Sequence, residues 1–301
     1  MSISPTTAQS GDQPPTHYEN FPVASWLCPP HLRAPIAAIY AFARTADDIA
    51  DEGDAPAQRR LDDLAAMRQA LLQCLEQQAF SKQARPASQA TQWPKVFEPL
   101  GRMVAQFNLP VSLLLALLDA FEQDVAKSRD KAGYASRQEL LSYCKLSANP
   151  VGRLLLHLYD ITDPGSLDMS DKVCTALQLI NFWQDLSVDV SRGRYYVPDE
   201  ECVRFGVGLQ RLIQEHRSGS QTPAVTALVK AQVAHAKSMM LAGAPLAKRI
   251  PGRAGWELRL VVQGGLRIID KIEAINYATL IQRPKIRAYD FPILFWRAFW
   301  M

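Results

Sequence analysis

The sequence predicts an all-helical protein. Apolar residues recur at three- and four-residue spacing along nearly the whole chain, while the alternating β-branched runs that mark strands are hard to find. With 48% hydrophobic and 21% charged residues, a chain of 301 residues can bury one large core or two small ones. One domain over residues 17–301 is expected, behind a flexible polar tail, MSISPTTAQSGDQPPT at residues 1–16. That tail lacks the apolar stretch of a signal peptide.

The elements follow in order. After Pro29-Pro30 a helix is expected from His31 to about Asp51, with Pro35 early enough to fit its first turn. A second covers Ala57 to Gln77, and a polar connection runs from Gln83 to Trp93. Pro110 opens VSLLLALLDAFEQDVAK, whose apolar face is wide enough to lie deep in a bundle. From Leu140 to Tyr159 the helical pattern is interrupted at Asn149-Pro150, because a proline there removes a ladder hydrogen bond. Leu167 to Val190 reads as one long helix and SRGRYYVPDEE as the loop that closes it. Two more long helices are expected at Ala224 to Lys248 and Gly255 to Leu280. The closing FPILFWRAFWM reads either as a short helix docked on the body or as one that touches a membrane surface.

Composition excludes several classes. The formal net charge of +3 is spread without a basic run, so no nucleic-acid partner is expected. Five cysteines with no C-x-x-C pair argue against a disulfide framework and for a reducing, cytoplasmic compartment. No apolar run approaches the ~20 residues of a membrane span, which leaves at most a peripheral contact on the inner face of the membrane. None of the five histidines has a Glu three residues before it, as a di-iron bundle would need, and no dinucleotide or P-loop glycine pattern is present.

Two acidic clusters carry chemistry. In Tyr40-Ala-Phe-Ala-Arg44-Thr-Ala-Asp47-Asp48-Ile-Ala-Asp51, helical spacing brings Asp47, Asp48 and Asp51 to one patch. Like charges so placed repel, and a hard divalent cation with oxygen ligands would relieve them. Tyr40 and Arg44 continue the stripe, where Arg44 could reach a phosphate. A solvated acidic helix end fits the same pattern. The second cluster is Gln178, Asn181, Asp185 and Asp189, a polar stripe on a helix otherwise covered by Leu177, Leu179, Ile180, Phe182, Trp183, Leu186 and Val188. Polar groups in such a helix are costly unless they bind something or satisfy one another in a hydrogen-bond network. Facing each other, the two clusters would hold Mg²⁺ and leave room for a diphosphate, with Arg192, Arg194 and Tyr196 on a loop over the same mouth.

These residues in this order resemble the two aspartate motifs of the squalene/phytoene synthase family, from about His17 to Tyr277. Landmarks are His17, Phe21, Arg33, Tyr40, Arg44, Asp47-Asp48-Ile-Ala-Asp51, Tyr143-Cys144, Val151-Gly152, Gln178, Asn181, Asp185-Leu-Ser-Val-Asp189 and the Arg-x-Tyr of Arg194 and Tyr196. The resemblance implies a single-domain isoprenoid synthase fold, a helical bundle around a central cavity. It also implies Mg²⁺ on Asp47, Asp48, Asp51, Asp185 and Asp189, which would be the catalytic carboxylates. Prenyl diphosphate would contact His17, Tyr40, Arg44, Gln178, Asn181, Arg194 and Tyr196. Phe21, Trp26, Phe42, Phe182 and Trp183 are candidates to line the cavity, or ordinary core.

Departures refine the expectation. Gln184 stands where the family carries an Arg before the second motif, Lys145 replaces a mid-chain Tyr, and Tyr18-Glu19-Asn20-Phe21-Pro22 replaces Ser-Lys-Ser-Phe. These features are similar to the hydroxysqualene-forming branch of the family in the bacterial hopanoid pathway, which implies presqualene diphosphate as substrate ahead of farnesyl diphosphate. The amides of Gln178, Asn181 and Gln184 would then place the water that ends the reaction, or contact metal or phosphate. Alternatives are condensation of two prenyl diphosphates, or a non-catalytic partner associated with other hopanoid-pathway enzymes.

Overall fold

Prolines set much of the helix register. The computed structural model describes residues 28–80, the last six by backbone alone, and residues 92–301. A proline sits in the first turn of α1 (Pro30–Asp51), α3 (Pro94–Phe107), α6 (Asn149–Leu158), α7 (Pro164–Gln184), α11 (Pro223–Gly243) and α14 (Phe291–Trp300), where its missing N–H costs no ladder bond. The intervening helices are α2 (Ala57–Phe80), α4 (Val111–Asp130), α5 (Arg137–Ser147), α8 (Leu186–Ser191), α9 (Asp199–Arg204), α10 (Leu209–Ser218), α12 (Leu246–Arg249) and α13 (Gly252–Ala274). No strand occurs among the described residues. The expectations for the tail, the 16/17 boundary, His17, Phe21 and Trp26 lie outside them.

Two cores stand side by side. Helices α1 to α4 pack around Phe42, Leu64, Met67, Leu100, Leu114 and Leu118, closed by Leu154 and Leu158 of α6. Helix α7 is the axle of the second core, against α5, α6, α11 and α13, with Val173, Ile180 and Trp183 meeting Val229, Val233, Met240, Val262 and Ile269. Burial of each such aliphatic side chain contributes roughly 1.5–3 kcal/mol, so packing and not propensity holds an axle that is apolar on most sides. The close approach of α11 to α7 requires a glycine: a Cβ on Gly243 would lie 2.7 Å from the Met169 carbonyl oxygen and from Val173.

Several elements depart from the sequence pattern. The break at Asn149-Pro150 is present, between α5 and α6, and the Thr175 hydroxyl donates to the buried Asn149 side chain at 2.9 Å. The expected single helix from Leu167 to Val190 is instead α7 and α8, divided at Asp185 (φ −98°, ψ 11°). The tie is tertiary: Gln184 donates to the Pro284 carbonyl at 2.8 Å, and the Ser187 N–H turns to the Thr279 carbonyl at 3.2 Å. Helix α3 forms over a span the pattern leaves unmarked, because Pro99 and Gly101 look like breakers. Phe97, Leu100, Gly101 and Val104 nevertheless bury one face of it. Helix α9 begins at Asp199, inside the stretch SRGRYYVPDEE expected to be loop, and α10 forms over an unmarked span. Helix α11 stops at Gly243, and α13 stops at Ala274, followed by Asn276 and Tyr277 in left-handed backbone (φ 50° and 59°).

All five thiols are free. His157 and His216 bond the Phe107 and Leu280 carbonyls at 2.9 and 3.0 Å, which are structural roles.

Candidate active site

The first acidic motif occupies the last turn of α1, where helical spacing places Asp47, Asp48 and Asp51 around one end. Arg44, one turn earlier, reaches all but the last: it pairs with Asp47 at 3.1 Å, Asp48 at 2.7 Å and Glu52 at 2.8 Å. Tyr40 lies half-buried one turn before Arg44.

The second motif lies at the α7–α8 break. Asp185 caps the end of α7 and is gripped from the far end of the chain: Arg283 donates from Nε and Nη2 to its two oxygens at 2.6 and 2.7 Å. Asn181 is 3.4 Å from the same carboxylate. Gln178 lies half-buried two turns back on α7. Asp189 is pushed up to about 7, first by burial and then by the charge of Asp185.

Arg194 joins the motifs. Its guanidinium makes a two-pronged pair with Asp51, at 2.9 and 2.5 Å, while its backbone N–H donates to the Asp189 carbonyl at 2.9 Å. The loop that the sequence places over the mouth does lie there. Arg192 and Arg194 border an open cleft of about 750 Å³ whose other walls are Arg44, Asp47, Asp51 and Glu52 of the first motif, Arg60 of α2, and Ser128 and Arg129 of α4.

Behind the cleft is a group the sequence reading missed. Asp124 of α4 accepts a 2.5 Å hydrogen bond from the Tyr143 hydroxyl. Burial pushes Asp124 up to about 7; the Tyr143 bond opposes this, and Asp51 and Asp47 add to it. Tyr143 is itself raised well above the usual phenol range by burial and by Asp124. Tyr196 stacks face to face on Phe182 at 3.8 Å, with Tyr143 and Tyr134 beside it. A signal for Asp124 exists in the sequence: it continues the apolar stripe of Leu117 and Phe121 on α4, where a lone carboxylate is costly.

Of the two readings for the aromatic residues, core is the one met by Phe42, which is fully buried edge-on to Phe97 in the α1–α4 core, and by Trp183 on the α7 side. Gln184 is buried and its amide N–H is committed to the Pro284 carbonyl, a structural tie. Lys145 is exposed on α5.

The donor set suits a hard divalent cation: Asp47, Asp48, Asp51, Asp185 and Asp189 offer only oxygen ligands. Asp124 and Asp189 are raised first by burial, and neighbouring carboxylates add to it. In this geometry arginines meet much of that charge. No three His, Cys, Asp or Glu side chains among the described residues converge closely enough to hold a metal ion.

Comparison with known proteins identifies the family and the fold. Residues 15–290 match the squalene/phytoene synthase family model. A hydroxysqualene synthase of Rhodopseudomonas palustris is 30% identical over 277 residues, 91% of this chain and 86% of that protein. A second, of Zymomonas mobilis, is 34% identical over 201 residues, 66% of this chain but 61% of that protein. Among solved structures, the squalene synthase HpnC from Alicyclobacillus acidocaldarius superposes with a TM-score of 0.72 at 32% identity, covering 87% of this chain and 90% of that one. The fold is thus the all-helical isoprenoid synthase fold, and the chain belongs to the squalene/phytoene synthase family.

Proposed function

We propose that this chain ionises presqualene diphosphate and yields hydroxysqualene. The observation that carries the reading is the joining of the two acidic motifs through Arg194, with Arg44 and Arg192 on the same cleft and Arg283 paired with Asp185 of the second motif. Support for the particular reaction comes from the similarity to two hydroxysqualene synthases, one of them along 91% of this chain.

The C–O bond to diphosphate breaks with its electron pair going to the leaving group. The cyclopropylcarbinyl cation rearranges, the oxygen of one water captures it, and that water loses a proton. When bound, Mg²⁺ at Asp47, Asp48, Asp51, Asp185 and Asp189 supplies charge neutralisation on the departing diphosphate. The arginines of the chain donate to its oxygens, and bidentate guanidinium geometry matches them. Release of Asp51 and Asp185 by Arg194 and Arg283 frees both partners at once, carboxylates for cation and guanidinium groups for phosphate. Tyr196, stacked on Phe182 and beside Tyr143 of the core, would give an aromatic, water-poor surrounding that protects a cation until capture.

A second reading, condensation of two farnesyl diphosphates, has one observation in its favour: a presqualene diphosphate synthase of Sinorhizobium fredii is 30% identical over 182 residues, 60% of this chain. Supplying the pure protein with Mg²⁺ and either presqualene diphosphate or farnesyl diphosphate alone separates the two. Turnover of the first and negligible presqualene diphosphate from the second is expected; efficient condensation would decide for the rival.

A further inference from the structure

Helix α14 presents its aromatic side outward. Leu294 and Ala298, one turn apart, are buried, the helix packs against α13, and Arg297 pairs with Asp270 at 2.6 Å. The opposite side carries two parallel ridges, Phe291, Phe295, Phe299 and Pro292, Trp296, Trp300, each at i, i+4, i+8. All six are exposed, and Phe295, Trp296, Phe299 and Trp300 are 57% to 69% exposed. Trp256 of α13 extends the patch, its ring 6.2 Å from Phe299, and exposed Tyr289 lies just before the helix. An aromatic area this continuous marks a contact surface, since burial of each such side chain is worth roughly 1.5–3 kcal/mol that water does not return.

Charge says what covers it. The segment leading into α14 carries exposed Lys285 and Arg287, apart from Arg283, which is paired with Asp185. Its one acid, Asp290, is buried and neutralised by Arg267 at 2.8 Å and Lys271 at 2.7 Å. Basic side chains beside an aromatic ridge complement an anionic headgroup layer over an acyl phase, and Trp and Tyr favour that boundary. A second copy meeting this face through the same segment would bring apolar surface but no exposed acid for Lys285 and Arg287, since Asp290 is the sole acid of residues 281–301 and is buried. Ten helical residues span about 15 Å, far short of a bilayer core, and no described helix is long and apolar enough to cross a membrane.

We propose that α14 docks the protein on an anionic lipid surface, lying in the plane of the interface with its two aromatic ridges in the headgroup–acyl boundary. This inference is independent of the reaction assigned above.

The test is co-sedimentation of the full chain with vesicles of phosphatidylcholine, with and without phosphatidylglycerol, alongside sedimentation equilibrium without lipid. Binding that is stronger to the anionic vesicles and weakens with salt is expected. Replacing Phe295, Trp296, Phe299 and Trp300 by Ser, with helicity checked by circular dichroism, should lower partitioning about tenfold or more. Lys285→Glu with Arg287→Glu should remove the anionic preference. Should the fourfold variant fail to fold, quenching of wild-type tryptophan fluorescence by brominated lipid is the alternative readout and is expected. No binding and no quenching overturns the proposal. So does unchanged binding of a folded fourfold variant, or a lipid-indifferent wild-type dimer that the variant splits.

Discussion

Arg194 donates two hydrogen bonds to Asp51, 143 residues away in the chain, while its own backbone N–H is bonded to Asp189. One residue thereby spans both acidic motifs. Arg194→Ala should lower kcat/KM about a hundredfold, roughly 2.7 kcal/mol of transition-state stabilisation, with circular dichroism unchanged. Arg194→Lys should recover only part of this, because a point charge cannot reproduce the fork. Wild-type kinetics for Arg194→Ala would remove it from the site.

Arg283 makes the corresponding pair with Asp185, and Gln184 beside it holds the Pro284 carbonyl. The guanidinium that the resemblance expects at position 184 is thus supplied beside the second motif from the other end of the fold. Arg283→Ala should lower kcat/KM by about tenfold to a hundredfold. Gln184→Ala should act more weakly and mainly on KM, by loosening the segment that carries Arg283. Equal kcat losses in both variants would contradict that division of labour.

Asp124 titrates near 7 in the folded protein against about 3.9 in an unfolded chain. Between those values the native state binds more protons than the unfolded state, so this carboxyl's contribution to stability falls as pH rises from about 4 to 7. Measured in EDTA, Asp124→Asn should melt above wild type at pH 8, with the advantage vanishing toward pH 4. Asp189 shifts the same way, so some slope should remain in the variant. An equal loss of Tm at both ends of the range would show that the Tyr143 bond, and not the charge, dominates.

Gly243 faces the α7 backbone, with no room for a methyl group against the Met169 carbonyl. Gly243→Ala should destabilise by about 1–3 kcal/mol in chemical denaturation, despite Ala being the better helix former. A stabilised variant would show that α7 and α11 can separate at little cost.

What the sequence reveals here depends on range. The acidic motifs are legible because carboxylates one turn apart need no knowledge of the fold, and the α5–α6 break is legible because Pro150 acts locally. Helix α3 is not, since burial of Phe97, Leu100 and Val104 overrides the local discouragement of Pro99 and Gly101. The α7–α8 break is set by ties to Thr279 and Pro284, about a hundred residues downstream. Arg283 stayed hidden for the same reason, since its partner Asp185 lies 98 residues away in the chain. Asp124 shows most clearly how a site residue escapes a motif: its bond to Tyr143, a residue the resemblance does mark, arises only when α4 and α5 pack together.

The most direct test of the central claim is incubation with presqualene diphosphate and Mg²⁺ in H₂¹⁸O, with NADPH in excess, followed by mass spectrometry of the extracted lipid. The account predicts hydroxysqualene carrying ¹⁸O, diphosphate released in equal amount, and no loss of NADPH. Squalene formed with matching NADPH consumption, or substrate returned unchanged, would contradict it.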